Sequence, residues 1–146
     1  SRVAPELIFD CELGELFVVR VAGNVLMSAS AGSLQYAGAH LHTQLFVVLG
    51  HEGCGAVQAA MQDKHEGVDH LSRIQLLLDA ILPALPELDP ALTPREQLAQ
   101  AVESNVRYTL HQMAESPEGK ARLGEGPFQF AGAIYDIESG RVRFLD

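Results

Sequence analysis

The passage from Gln44 to Met61 restricts the fold of this chain more than any other. Gln44-Leu45-Phe46-Val47-Val48-Leu49 is apolar at successive positions, the mark of a strand covered on both faces, as in a parallel sheet. Gly50 is expected to stop it. Gly53 and Gly55 then permit a tight turn, and Ala56 to Met61 begins a helix. A buried strand that turns straight into a helix belongs to an open α/β sheet. Such sheets place their sites just beyond the carboxyl ends of their strands.

The flanking segments repeat the alternation. Pro5 suits the first turn of a short helix over residues 5–10, where a missing N–H costs little. Residues 16–21, Leu-Phe-Val-Val-Arg-Val, predict a second strand, closed by the turn residues Ala22-Gly23-Asn24. Residues 33–41 predict a helix with Ser33 as N-cap and Leu34, Ala37 and Leu41 on one stripe. Leu71, Ile74, Leu77, Leu78, Ile81 and Leu82 have helical spacing, ended by Pro83 and Pro86. Thr93-Pro94-Arg95-Glu96 is a helix start that should run through Val102 and Val106 to about Ala114. After Gly124-Glu125-Gly126-Pro127, residues 128–136 predict a strand, Glu138-Ser139-Gly140 a turn, and residues 141–145 its hairpin partner. The expected fold class is α/β: a mainly parallel central sheet flanked by helices, with a C-terminal hairpin, in one domain of 146 residues.

Composition narrows the function classes. With 10 Lys and Arg against 19 Asp and Glu, the formal charge of −9 disfavours nucleic acid as a partner. No apolar run is long enough to span a membrane. Two cysteines, Cys11 and Cys54, are too few for a disulfide framework and fit a reducing, cytoplasmic setting.

The chemistry concentrates in Gly50-His51-Glu52-Gly53-Cys54-Gly55. His51 and Cys54, two residues apart in a turn, can aim an imidazole and a thiolate at one point. Both suit zinc, and a helix starting beside Cys54 favours its thiolate. A lone His-x-x-Cys is also compatible with a buried structural thiol and a capping histidine, and two ligands do not by themselves make a zinc site.

Beyond that turn, the chain resembles the β-class carbonic anhydrases along its whole length. The resemblance is carried by Ser1-Arg2-Val3, Leu16-Phe17-Val18-Val19-Arg20, Gly23-Asn24, Ser33-Leu34-Gln35-Tyr36-Ala37, Gly50-His51-Glu52-Gly53-Cys54-Gly55-Ala56, Glu103-Ser104-Asn105-Val106, Gly132-Ala133-Ile134-Tyr135-Asp136 and Ser139-Gly140. It implies a Zn²⁺ ion held by two cysteines and one histidine, with a fourth position for water or an aspartate. Of that set His51 and Cys54 are the metal ligands present. Arg2 matches the arginine of the family's Cys-x-Asp-x-Arg motif, as the catalytic residue that would hold the aspartate. The motif's cysteine and aspartate would precede Ser1, and the family's N-terminal helical segment is expected to be missing from the domain formed by residues 1–146. Phe17 is implied as a lining residue of the CO₂ pocket.

The implied activity is zinc-dependent, reversible hydration of carbon dioxide to bicarbonate and a proton. The implied assembly is a homodimer or a dimer of dimers. Two other functions share the sequence: hydrolysis of a CO₂-like molecule such as carbon disulfide, and a metal-free interaction or regulatory domain.

Several residues have weaker readings. Cys11 lies outside the family motif and reads better as a structural thiol than as the third ligand. Arg20 and Tyr36 sit where some family members hold a regulatory bicarbonate, although a structural ion pair fits an in-strand arginine better. Gln35 could bond across a subunit interface or simply be solvated. His40, His42, His65, His70 and His111 share no register and read as surface residues. Glu52 reads as facing solvent, and Asn105 as tying helix to sheet.

Overall fold

The computed structural model describes residues 4–67, 70–124 and 126–146. In chain order the elements are α1 (Pro5–Phe9), a 3₁₀ turn (Ala22–Asn24), α2 (Ser28–His40), β1 (Leu45–His51), α3 (Gly55–Glu66) and α4 (Ser72–Ile81). A second 3₁₀ turn (Leu82–Ala84), α5 (Pro94–Glu115), α6 (Pro117–Leu123), β2 (Gln129–Tyr135) and β3 (Val142–Leu145) complete them. The sheet has the order β1-β2-β3. β1 and β2 run parallel, with Val48 opposite Gly132 and His51 opposite Tyr135, while β2 and β3 form the antiparallel C-terminal hairpin. The chain is thus α/β, as its alternation of apolar runs predicts.

Helix α5 lies across β1 and β2 and forms the centre of the core. Its start is a reciprocal cap. Thr93 Oγ1 accepts from the Glu96 N–H at 3.3 Å, and the Glu96 carboxylate accepts from the Thr93 N–H at 2.8 Å. Its inner face carries Ala101, Val102, Asn105, Val106, Thr109 and Met113, all buried. Two strand glycines let it approach closely. A Cβ on Gly50 would stand 2.5 Å from Val106 Cγ2, and one on Gly132 would stand 3.2 Å from Val106 Cγ1. Phe46, Phe128 and Phe130 close the other end of the strands, with ring centroids 5.1–5.9 Å apart.

Four local expectations are corrected. Residues 16–21 form no strand: a strand exists only as part of a hydrogen-bonded ladder, and no described strand pairs with them. Ser33 does not cap α2, which begins five residues earlier at Ser28. The Met27 N–H donates to Ser30 Oγ at 2.8 Å, and Ser33 Oγ back-bonds to the Ala29 carbonyl. Gly50 does not end β1, which continues to His51, because the glycine is there to admit Val106. Finally, β1 is not buried on both faces. Phe46, Val48 and Gly50 are buried, while the alternating Val47, Leu49 and His51 are only half-buried.

Candidate metal centre

His51 is the last residue of β1 and Cys54 the residue before α3, so strand and helix fix both ends of the turn. Gly53, with φ of 63°, makes the left-handed step that a side chain would oppose. The turn is tied to the sheet by the Glu52 N–H, which donates to the Tyr135 carbonyl at 3.0 Å. His51 Nδ1 is 2.8 Å from the carbonyl of Glu52. A carbonyl can only accept, so Nδ1 carries the proton in that bond and the ring's lone pair lies at Nε2.

The imidazole and the Cys54 thiol are near enough to bias each other's protonation. Interaction with the Cys54 side chain is the main cause raising the His51 pKa above 6.5, with burial opposing it and the Glu52 carbonyl assisting. For Cys54 the largest single influence is burial, which pushes the thiol up. The His51 side chain and its charge, together with the N–H groups of Val57 and Ala56 at the start of α3, outweigh it and bring the pKa below 9.0. The side chain is 4% exposed. A buried thiol whose pKa is lowered, beside an imidazole whose Nδ1 proton is engaged by a carbonyl, is a donor pair that suits zinc. Among the described residues no three His, Cys, Asp or Glu side chains gather closely enough to hold a metal ion. The pair therefore fits zinc as part of a coordination set.

The other sequence-based candidates fall elsewhere. Arg2 lies outside the described residues. Phe17 sits in the 16–21 segment, 45% exposed and apart from the buried core cluster. Cys11 turns to its own neighbourhood, its Sγ 3.5 Å from the Phe9 carbonyl. Tyr36 stacks on His40 along α2 at 4.6 Å and is more than half exposed. Glu52 is partly exposed, as expected, and also meets Arg95 of α5 at 3.7 Å, a contact the sequence spacing did not reveal.

Comparison with known proteins bears on this geometry. The family model for carbonic anhydrase matches residues 1–142. The chain belongs to the carbonic anhydrase family. It is 36% identical over 151 residues to carbonic anhydrase 2 of Mycobacterium tuberculosis (strain CDC 1551 / Oshkosh), an alignment covering all of this chain and 70% of the relative. It is 34% identical to the carbonic anhydrase of Mycolicibacterium smegmatis, over 97% of this chain and 68% of that one. Among solved structures it superposes on the β-carbonic anhydrase CcaA with a TM-score of 0.85 and 28% identity, covering 100% of this chain and 69% of that chain. A tetrameric β-carbonic anhydrase of Sordaria macrospora shares the fold at a TM-score of 0.87 and 22% identity, over 99% of this chain and 75% of its own. The resemblance in the sequence is thus family membership, and the His51–Cys54 turn sits at the carboxyl end of a strand in a carbonic anhydrase fold. No helix among the described residues is long and apolar enough to cross a membrane.

Proposed function

We propose that this carbonic anhydrase domain catalyses the zinc-dependent, reversible hydration of carbon dioxide to bicarbonate and a proton, with His51 and Cys54 as zinc ligands. The observation that carries the reading is the placement of His51, the last residue of β1, and Cys54, the residue before α3, at the two ends of one tight turn at the carboxyl end of that strand. A zinc ion held by His51 and Cys54 would supply the Lewis acidity that makes hydroxide available from water near neutral pH, the nucleophile that CO₂ hydration requires. The protein's part is orientation and exclusion. The Glu52 carbonyl fixes the His51 ring by its Nδ1, leaving the Nε2 lone pair as the one a metal ion would take. The N–H groups of Ala56 and Val57 favour the thiolate form of Cys54.

Within the same proposal, the remaining protein ligand is the cysteine of the family's Cys-x-Asp-x-Arg motif, and Arg2 holds that motif's aspartate. Phe17 lines the apolar path taken by CO₂. The working form is a homodimer or a dimer of dimers. In support, Leu7, Leu13, Phe17, Val21, Met27 and Tyr36, all exposed, give the first quarter of the chain a large apolar surface.

Elemental analysis for zinc, paired with stopped-flow CO₂ hydration, tests the reading. Zinc near one per chain, lost together with hydration activity in His51→Ala and in Cys54→Ser, supports it. A wild-type protein that holds no zinc under saturating supply refutes it and leaves a metal-free interaction module.

A further inference from the structure

The turn that carries His51 and Cys54 rests on one stretch of α5, and one polar residue there stands out. Asn105 is 1% exposed, on a face where its neighbours are Ala101, Val102, Val106 and Met113, with Thr109 the other buried polar side chain. Burying an amide among apolar groups costs stability unless it is paired, and a leucine or valine would be the cheaper occupant. Its Nδ2 donates to the Gly23 carbonyl at 2.8 Å and approaches Asn24 Oδ1 at 3.4 Å. Asn105 therefore ties α5 to the 3₁₀ turn Ala22–Asn24 rather than to the sheet.

That turn is wedged against the metal loop. Gly23 and Asn24 both have positive φ, 66° and 45°. A Cβ on Gly23 would stand 2.6 Å from Ile81 Cδ1 and 3.4 Å from Ala56 Cβ, so its backbone lies directly on α4 and on the first turn of α3. Ala56 is two residues after Cys54. On the other side, Val106 fills the space over Gly50, one residue before His51. Consecutive residues of α5 thus brace both halves of the site: Val106 beneath the strand end that carries His51, Asn105 through Gly23 beneath the helix start that carries Cys54.

We infer that Asn105 is a positioning residue of the metal centre, holding the 22–24 turn as the backstop that keeps Cys54 aimed at His51. The inference rests on reading that pair as zinc ligands. Without the Asn105–Gly23 bond the turn can back away from Ala56, and the first turn of α3 opens locally while the rest of the core stays intact.

The test compares Asn105→Asp and Gly23→Ala with Met113→Ala, a core truncation farther along α5, at matched thermal stability. Asn105→Asp loses the donor and sets an acceptor against the Gly23 carbonyl. Gly23→Ala pushes the turn off Ile81 and Ala56 with Asn105 intact, so it carries the comparison if the aspartate variant fails to fold. On the metal-free protein, iodoacetamide modification is followed by peptide mass, with Cys11 as internal reference.

In both turn variants Cys54 should react roughly tenfold faster relative to Cys11, the increase expected of a local opening. In Met113→Ala the ratio should stay at the wild-type value. Zinc affinity should fall by about tenfold or more in the turn variants alone, as when a supporting contact of a metal site is removed. Equal Cys54 rates in all three variants, or an equal rise in Met113→Ala, overturn the inference. Because the thiol readout needs no metal, a protein that binds no zinc refutes the proposed function while this comparison still decides the role of Asn105.

Discussion

Gly50→Ala is the most demanding test of how α5 supports the site, because two effects of opposite sign compete. In an unstrained strand interior, replacing glycine by alanine stabilises by about 0.5–1 kcal/mol, since glycine loses more chain entropy on folding. At Gly50 the added Cβ would stand 2.5 Å from Val106 Cγ2, 3.3 Å from Ile134 Cδ1 and 3.4 Å from Val102 Cγ1. All three neighbours belong to buried residues, so none can swing into solvent. Overpacking of that kind costs roughly 1–3 kcal/mol, enough to reverse the sign.

The net expectation is a loss of about 1–2 kcal/mol, or roughly 3–6 °C in Tm for a chain of this size, read by thermal and urea denaturation. Val106→Ala alone costs about 2–3 kcal/mol through lost methyl burial and a cavity. In the double variant the new Cβ takes up part of the space Val106 vacates. The pair should then be less destabilised than the sum by at least about 1 kcal/mol. Strict additivity, or a Gly50→Ala protein more stable than wild type, would refute the account of Gly50 as the contact point between strand and helix.

Other expectations follow from the same packing and charge pattern. Glu103 accepts from Arg143 at 2.8 Å and from Arg107 at 2.9 Å, bonds that together hold its pKa below 4.5. A carboxyl depressed in the folded state contributes stability above its unfolded pKa and loses it as pH falls through the folded value. Glu103→Gln should thus cost about 1 kcal/mol near neutral pH, a gap that narrows as pH falls below the ordinary carboxylate range, measured by urea melts along an acid series; a gap independent of pH contradicts this. Thr93→Ala removes one side of the α5 capping box and should cost about 1 kcal/mol, or roughly 2–4 °C in Tm. A melt unchanged within about 1 °C would mean the cap is not holding the helix start.

What was legible in the sequence follows from which signals are local. Thr93-Pro94 with Glu96 marks the start of α5 to the residue, because cap, fixed φ and reciprocal carboxylate all act within one turn. The Glu138–Gly140 turn and its flanking strands were legible for the same reason. Residues 16–21 show the limit: their apolar pattern describes a strand, but pairing depends on a neighbour that the pattern cannot name. The early part of α2 escaped notice because Ser28-Ala-Ser-Ala-Gly32 carries no apolar period. Helix α6 escaped because a seven-residue helix capped by Ser116 has too few positions to show one.

At the site, His51 and Cys54 were recognisable from spacing and context. Their support was not, since Gly50–Val106 and Gly23–Asn105 join residues 56 and 82 positions apart. Gly50 shows the consequence, reading in one dimension as the end of a strand and in three as the contact point of a helix.

The central claim is that His51 and Cys54 together ligate a metal ion. Cobalt substitution followed by absorption spectroscopy tests it most directly, because thiolate and imidazole ligands each leave their own mark on the spectrum. The account predicts a thiolate-to-cobalt charge-transfer band in the wild-type protein, abolished in Cys54→Ser, and a changed d–d pattern with weaker binding in His51→Ala. A charge-transfer band that survives Cys54→Ser, or a cobalt spectrum unaltered by loss of His51, would contradict it.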